Sequence, residues 1–272
     1  MGNVGISIVI PTLNEEHYIG KLLTTITKQT YGGDIDVIVV DGQSSDNTVQ
    51  IIKSFKHQIL NLRLMRSTRG ISLQRNTGAR AARFELLLFI DADMILPPDF
   101  LWKLSSMACR TFEGTTLGRF ALSFSTRSRI SCLKQDKFVA LPFILPHNGS
   151  FIDYVYTVIS YTGKVILSFI KPVITGKCII TTKANHDRIG GFDDKIVFSE
   201  DVEYGLRSHA QGATYHILWR LRLYTSPRRR KEIGLFRMIW LPLYGYWRNL
   251  CSKPITNIDK DGYSFGKHQK EL

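Results

Sequence analysis

The chain has 272 residues, 44% hydrophobic and 22% charged, which is the balance of an ordinary globular protein with room for a sizeable core. Lys and Arg (36) outnumber Asp and Glu (23), and the net charge of +13 favours an anionic partner: a nucleic acid, a phosphorylated small molecule or an anionic membrane surface. The four cysteines form no CxxC pair and have no His cluster beside them, which argues against a zinc site or a disulfide scaffold. With no run of 18 apolar residues and no secretory signal, we expect a cytoplasmic protein without a simple spanning helix.

Strands and helices are predicted to alternate over the first hundred residues. Short β-branched or apolar runs predict strands at 6–10, 36–41, 62–67 and 86–90. Apolar residues at helical spacing predict helices at 14–29, 44–55 and 72–82. This alternation indicates right-handed βαβ units, so the predicted fold class is α/β, with a mostly parallel central sheet flanked by helices.

The second half of the chain is less regular. The pattern predicts strands at 115–124, 173–182 and 213–226, a loop and short helix at 190–212, and a basic turn at 227–231. Two further segments, 138–174 and 233–250, are apolar and aromatic, with Lys and Arg interleaved; the second is roughly in helical register.

Polar residues follow three of the predicted strands, at 11–15, 41–44 and 91–93. The carboxyl ends of parallel strands lie along one edge of a sheet, where ligands of such folds bind. Neither a GxGxxG fingerprint after the first strand nor a GxxxxGK[ST] loop occurs, which disfavours a dinucleotide-binding Rossmann site and a P-loop.

Asp91 and Asp93 stand at the end of an almost wholly apolar strand, two residues apart. Such residues point to the same side, and two carboxylates this close need a cation between them or a shared proton. A hard divalent ion, Mg²⁺ or Mn²⁺, suits oxygen ligands and is often completed by substrate phosphates. The alternative is an Asx turn that caps the following helix, with Pro97 and Pro98 at its start.

Seven stretches together resemble the family-2 glycosyltransferases of the GT-A fold, in the order found in that family. They are SIVIPTLNEE, VIVVDGQSSDNT, RNTGARAA, LLLFIDADM, ITGKCIITTKANHDRIGGFDD, SEDVEYGLR and TSPRRR. The resemblance covers roughly residues 5 to 230. It implies transfer of a sugar from a nucleotide-diphospho-sugar, which we expect to be UDP-linked, to an acceptor hydroxyl with inversion. We accordingly expect a nucleotide-binding half at 1–112, an acceptor half at 113–230, and a C-terminal amphipathic and basic segment at 231–272.

The resemblance also implies a donor site for the nucleotide. Pro11, Thr12 and Glu15 would line the nucleoside pocket, Asp41 would hydrogen-bond the base, typically uracil, and Asp91 would face the ribose. Glu15 as a carboxylate in the first turn of a helix, and Asp41 as a turn residue, are the alternatives.

The remaining implied positions concern the diphosphate and the chemistry. Asp93 would hold the divalent ion, Arg75 resembles a basic residue near the base or the phosphates, and Arg229 lies where relatives carry basic residues near the diphosphate. Asp201 matches the catalytic base, which is needed because a sugar hydroxyl is a poor nucleophile at neutral pH. The alternatives are that Arg75 and Arg229 are solvated basic residues, and that Asp201, like Glu200 beside it, is an ordinary acidic residue in the first turn of a helix.

The two apolar segments have two interpretations. They could be core helices covering the acceptor side of the sheet. They could also form an interfacial surface on an anionic membrane, suited to a lipid-linked acceptor and made partly by Trp240, Leu243, Tyr246 and Trp247. We expect a glycan or lipid-linked acceptor, peripheral attachment to the inner face of the cytoplasmic membrane, and no nucleic-acid partner. A sugar-phosphate nucleotidyltransferase and a non-catalytic carbohydrate- or membrane-binding module remain the alternative functions.

Overall fold

A computed structural model of the chain describes residues 4–108, 137–168, 171, 174, 176–226, 228–251 and 255–256. The strands are β1 (Ile6–Thr12), β2 (Ile35–Asp41), β3 (Leu62–Arg66), β4 (Leu86–Ile90), β5 (Met94–Ile95), β6 (Phe138–Pro146), β7 (Cys178–Thr182) and β8 (Thr214–Thr225). The helices are α1 (Ile19–Thr27), α2 (Thr48–Ser54), α3 (Ile71–Ala81), α4 (Phe100–Ala108), α5 (Phe151–Ser168), α6 (Lys183–Arg188), α7 (Glu200–Ala210) and α8 (Arg228–Leu250).

All eight strands form one sheet in the order β3-β2-β1-β4-β7-β6-β8-β5. The pairs among β1, β2, β3 and β4 are parallel, and so is β6 with β8. The pairs of β7 with β4 and β6, and of β5 with β8, are antiparallel. The predicted α/β class with a mostly parallel sheet flanked by helices is confirmed, and strands from both halves of the chain share the sheet.

The core of the molecule is the sheet itself, since β1, β4 and β7 are buried along their whole length. Such continuous burial is typical of strands covered by helices on both faces, and it explains their nearly unbroken apolar sequences. Helix α1 contributes Ile19, Leu22, Leu23 and Ile26, which are spaced to form one apolar face against this core.

Several predicted boundaries were wrong. Helix α1 begins at Ile19, not at residue 14, because the chain first makes a turn in which Asn14 has a left-handed φ of 53°. The apolar segment 138–174 is not helical throughout, since its first part is β6. The basic turn at 227–231 is instead the start of α8, which begins at Arg228. The predicted strand at 115–124 lies outside the described residues.

None of the helices in the described ranges is long and apolar enough to cross a membrane.

Helix α3 packs unusually close to β1, because a Cβ added at Gly78 would lie 2.3 Å from Cγ1 of Val9. We therefore expect Gly78→Ala to lower the free energy of unfolding by about 1–3 kcal/mol through overpacking, despite the better helix propensity of Ala. Urea denaturation measures this loss. Gly163→Ala is the matched control, since no heavy atom lies within 4 Å of that Cβ position on α5. The control should be neutral or slightly stabilising, and equal losses in both variants would contradict the packing explanation.

Candidate active site

The carboxyl ends of β1, β2 and β4 bring the predicted donor residues to one edge of the sheet. Thr12 and Asp41 are the last residues of β1 and β2, and they are register partners in the parallel pair. The side-chain amide of Gln74 on α3 joins these strand ends by donating to the carbonyls of Thr12 (2.7 Å) and Val40 (2.8 Å). The sequence expectation that these strand ends lie side by side is therefore met.

Asp41 is buried and holds the loop that follows β2. Its carboxylate accepts backbone N–H bonds from Gln43 (3.2 Å) and Ser44 (3.2 Å), and Gln43 adopts a left-handed φ of 70°. The turn role is thus present in the structure. The contact of Asp41 with a base remains a prediction.

Glu15 lies in the loop before α1 and not in the first turn of that helix. Its backbone N–H donates to the hydroxyl of Thr48 at 2.8 Å, and its carbonyl accepts from Tyr18 and Ile19. The alternative of a carboxylate within the first turn of the helix is therefore wrong. Pro11, in β1, is buried, and the nucleoside contacts of both residues stay predictions.

Asp91 and Asp93 have different cationic partners. Oδ1 of Asp91 accepts from Nη2 of Arg75 at 3.1 Å, whereas Oδ2 of Asp93 lies 3.5 Å from Nζ of Lys177 and accepts weakly from the Thr225 hydroxyl at 3.4 Å. Arg75 thus contacts Asp91, and Lys177 contacts Asp93. The helix-capping alternative is wrong, because β5 separates both residues from the start of α4 at residue 100.

The Asp93 carboxylate fits a divalent ion by its burial and its free oxygen. Only 8% of Asp93 is exposed, and its buried Oδ1 has no hydrogen-bond partner in the part of the chain that the structure describes. Leaving a buried carboxylate oxygen unpaired is costly, and a hard cation would satisfy it. The described ranges contain no group of three or more His, Cys, Asp or Glu side chains that could hold a metal. Substrate phosphates and water would therefore have to supply the other ligands, as is common for Mg²⁺.

Arg75 is the centre of the candidate site, because its guanidinium connects the two acidic motifs. The side chain is 1% exposed; Nη1 donates to Glu200 at 2.8 Å, and Nη2 donates to Asp91 and, at 2.7 Å, to the carbonyl of Gly176. Sequence reasoning placed Arg75 near the base or the phosphates, and that contact is untested. The observed contacts give it a second role, which is to fix Asp91 and Glu200 relative to each other.

Asp201 is the second residue of α7, next to the Glu200 that Arg75 holds. The preceding Ser199 has a left-handed φ of 65°, which is uncommon for a residue with a side chain and is often found at functional sites. Helix α8 supports this loop from behind, since Asn249 donates to the Ser199 carbonyl at 3.3 Å.

The pKa of the Asp201 carboxyl group suits a general base. Burial and the neighbouring Glu200 charge raise its pKa to about 7, although Arg75 and the backbone N–H of Val202, which donates at 2.8 Å, oppose the change. A carboxylate of this kind is mostly ionised just above neutral pH yet accepts a proton readily, which suits general-base catalysis.

Gly176 keeps the space between Arg75 and Asp201 open. A Cβ at this position would lie 3.1 Å from Nη2 of Arg75 and 3.2 Å from Oδ2 of Asp201. A side chain would thus press on both groups. Gly176 lies in one of the seven stretches that carry the family resemblance, but no role was predicted for it.

Two lysines near the acidic groups were also missed. Lys177 follows Gly176 and pairs with Asp93, and its ammonium donates to the Thr225 hydroxyl at 2.6 Å. Lys164, on α5, lies near enough to Asp201 and Lys177 for both charges to act on it, and burial lowers its pKa to about 8. Only the short GKC stretch could have indicated Lys177, and nothing local distinguishes Lys164 from a solvated residue of a helix.

The side chain of Arg229 lies outside the described residues, so its predicted contact with the diphosphate stays a prediction. Its backbone belongs to the first turn of α8.

The sheet order and the acidic groups at the strand ends define an α/β protein with a GT-A-like fold. A mannosyltransferase from Pyrobaculum calidifontis, solved with GDP-Man and Mn²⁺, superposes with a TM-score of 0.65 at 19% identity, covering 94% of this chain and 66% of the other. The chain belongs to glycosyl transferase family 2, whose family model matches residues 7–180.

Two bacterial relatives are similar in sequence. The Staphylococcus aureus poly(ribitol-phosphate) beta-N-acetylglucosaminyltransferase TarS is 35% identical over 91 residues, 32% of this chain and 16% of TarS. The uncharacterized glycosyltransferase YfnE of Bacillus subtilis is 26% identical over 243 residues, 78% of this chain and 62% of YfnE. TarS residues 1–349 with UDP-GlcNAc superpose with a TM-score of 0.59 at 19% identity, covering 82% of this chain and 59% of that one. The chain thus spans less than two thirds of each of these two relatives.

Proposed function

We propose that this protein is an inverting glycosyltransferase that moves a sugar from a nucleotide-diphospho-sugar, UDP-linked, to an acceptor hydroxyl. The observation that carries the proposal is the position of the Arg75 guanidinium. It joins Asp91 of the D-x-D pair to Glu200, which precedes Asp201, the proposed general base. The proposed donor-binding motif and the proposed proton acceptor are thereby linked through one side chain. The TarS complex with UDP-GlcNAc and the Pyrobaculum complex with GDP-Man support this class of donor.

The reaction would be a single displacement. Asp201 takes the proton of the acceptor hydroxyl while that oxygen forms a bond to the anomeric carbon from the face opposite the diphosphate. The bond from the anomeric carbon to the diphosphate oxygen breaks, and the nucleoside diphosphate leaves with the electron pair. Attack from the opposite face inverts the anomeric configuration.

The chain's own residues would hold the donor around this displacement. Asp41 would accept from the base, Asp91 would bind the ribose, and Pro11, Thr12 and Glu15 would form the wall of the nucleoside pocket. Family membership and the position of these residues at the sheet edge support the assignment.

The diphosphate would lie on the cationic side of the site. Asp93 would hold the divalent ion through its unpaired oxygen, and that ion would supply charge neutralisation for the departing diphosphate. Lys177 and Arg229 are positive groups of the chain itself that would act on the same charge.

The acceptor would be a glycan or a lipid-linked saccharide of the cell envelope. The poly(ribitol-phosphate) acceptor in the name of TarS supports an envelope polymer as one member of this class. We propose a cytoplasmic protein that works peripherally at the inner face of the cytoplasmic membrane.

Calorimetric titration of UDP tests the donor site. With Mn²⁺ present, we expect UDP to bind with a clear heat. The UDP affinity should fall at least about tenfold when chelator removes the metal or when Asp93→Ala removes the carboxylate, because the metal charge then no longer compensates the phosphate charge. Asp99→Ala is the matched control, since Asp99 is a partly exposed carboxylate paired with Lys103 on α4. Equal UDP affinity with Mn²⁺ and with chelator would contradict the assignment of Asp93.

A further inference from the structure

Helix α5 leaves a continuous apolar face uncovered. Seventeen of its eighteen residues have described side chains, and among them only Asp153 and Tyr161 are buried. The exposed apolar side chains recur at helical spacing along one stripe, which we call the α5 stripe: Phe151, Ile152, Val155, Val158, Ile159 and Ile166. Phe151 is 83% exposed and Ile159 is 61% exposed. Contiguous exposed apolar surface of this kind marks an interaction site.

The way α5 is attached to the sheet turns this stripe outward. Tyr161 fixes the helix to β6, because its hydroxyl donates to the Pro142 carbonyl at 2.7 Å and accepts from the Ile144 N–H at 2.8 Å. The one acid of the helix, Asp153, is turned inward and accepts from the N–H and the hydroxyl of Ser150. The stripe therefore carries no negative charge.

Helix α8 adds a second exposed apolar patch. Ile239, Trp240, Leu243 and Trp247 are each between 43% and 59% exposed. Tyr246, which the sequence placed on this surface, is buried instead, and its hydroxyl donates to the carbonyl of Lys171 just beyond the end of α5. The helix turns one side to the protein and the other to the outside.

Cationic residues neighbour both faces along the chain. Lys171 lies exposed beside α5, and the start of α8 reads Arg-Arg-Arg-Lys at 228–231. The whole chain carries +13. Apolar side chains flanked by cations suit an anionic lipid surface, in which the former enter the headgroup region and the latter meet the phosphates.

The helix that carries the α5 stripe also reaches the candidate active site from its other side. Lys164 on the same helix, with its ammonium 4.2 Å from the Tyr161 ring centroid, is near enough to Asp201 to feel its charge. One helix thus has one side at the catalytic carboxylate and the other open to the outside.

We propose that the α5 stripe docks on an anionic lipid bilayer and brings the catalytic carboxylate to an acceptor carried by a lipid. The inference rests on the proposed function for the nature of the reaction, but the docking itself does not depend on turnover. The α8 patch assists the docking.

Vesicle sedimentation tests the docking with the full chain. Parent protein should bind vesicles of mixed phosphatidylglycerol and phosphatidylcholine, more weakly but still measurably in high salt, because salt screens only the electrostatic part. The double variant Val158→Ser/Ile159→Ser should lose about tenfold or more in vesicle affinity, since two aliphatic side chains no longer leave water. Leu60→Ser/Trp102→Ser is the matched control, because both side chains are exposed and lie outside α5; its affinity should be unchanged.

Two results would overturn the proposal. One is parent protein that remains in the supernatant at low salt, or an α5 double variant that binds as the parent does. The other is sedimentation equilibrium without vesicles that shows a dimer which Val158→Ser/Ile159→Ser dissociates, because the stripe would then bind a second copy of the chain. UDP calorimetry on the same preparations separates the two proposals. A parent protein that binds UDP but not vesicles would contradict only the docking, and a parent protein that binds vesicles but not UDP would contradict only the donor site.

Discussion

Asp201→Asn should bind UDP and Mn²⁺ nearly as the parent does but lose roughly 10²–10⁴ in turnover, the contribution of a positioned general base. The asparagine keeps the shape of the side chain, and its oxygen can still accept from the Val202 N–H that bonds Oδ1 in the parent. The amide has no basic oxygen, so the acceptor proton has no destination. Steady-state release of UDP measures turnover, and calorimetry measures binding. Near-parental turnover would refute Asp201 as the base and direct attention to Glu200.

The raised pKa of Asp201 adds a signature in pH. The base works only when ionised, so turnover of the parent should rise with pH up to a plateau above its pKa of about 7. The stability of the parent changes with pH in the opposite direction from turnover. A carboxyl whose pKa is raised on folding contributes to the free energy of unfolding below its unfolded pKa, 3.8, and this contribution is lost as the pH rises through about 7. Asp201→Asn has no such loss, so its stability relative to the parent should improve as the pH rises from 3.8 to about 7. Thermal melts across this range check the sign.

Arg75→Met should be among the most damaging single substitutions in the chain. It removes the guanidinium that bonds both Asp91 and Glu200, and it takes this partner from the buried Glu200 and the partly buried Asp91. Breaking a buried ion pair from one side costs about 3–5 kcal/mol, which is a large share of the stability of a typical domain. Urea denaturation should show this loss, and turnover should fall as well, because Asp201 loses the group that fixes its neighbour.

Two further variants separate the charge of Arg75 from its geometry. Arg75→Lys keeps the charge, so it should recover part of the stability. Turnover should remain low, because a shorter side chain with a single nitrogen does not reproduce the planar fork that reaches two carboxylates and the Gly176 carbonyl. Arg80→Met is the matched control, since Arg80 is exposed on the same helix and donates to the nearby Thr77 hydroxyl. A stability loss in Arg80→Met equal to that in Arg75→Met would contradict the importance of the buried network.

The strands of the first half could be predicted from the sequence nearly to the residue. The run 86–90 coincides with β4, because a short apolar run between turn residues has one good solution in a sheet covered on both faces. Helix starts were predicted less well. Helix α1 begins late because the backbone N–H groups of Asn14 and Glu15 donate to Ser44, on the loop after β2, and to Thr48, at the start of α2. Such long-range partners cannot be read from local spacing.

The site could be predicted as a set of residues but not as a network. Ordered motifs indicated Asp91, Asp93 and Asp201, and their acidic character is local information. The pairing of Arg75 with Glu200 joins residues 125 positions apart, and only the folded sheet brings them together. Lys177 likewise pairs with Asp93 because β7 runs antiparallel to β4. The prediction of a mostly parallel sheet did not include this arrangement.

The central claim is inverting transfer from a nucleotide-sugar, and the configuration of the released sugar tests it most directly. The full chain is incubated with Mn²⁺ and an α-linked donor such as UDP-GlcNAc, and proton NMR follows the anomeric signal from the first minutes, with water or a saccharide as acceptor. The account predicts that the β-anomer forms first and that Asp201→Asn abolishes its formation while UDP still binds. First formation of the α-anomer, or equal rates in parent and Asp201→Asn, would contradict it.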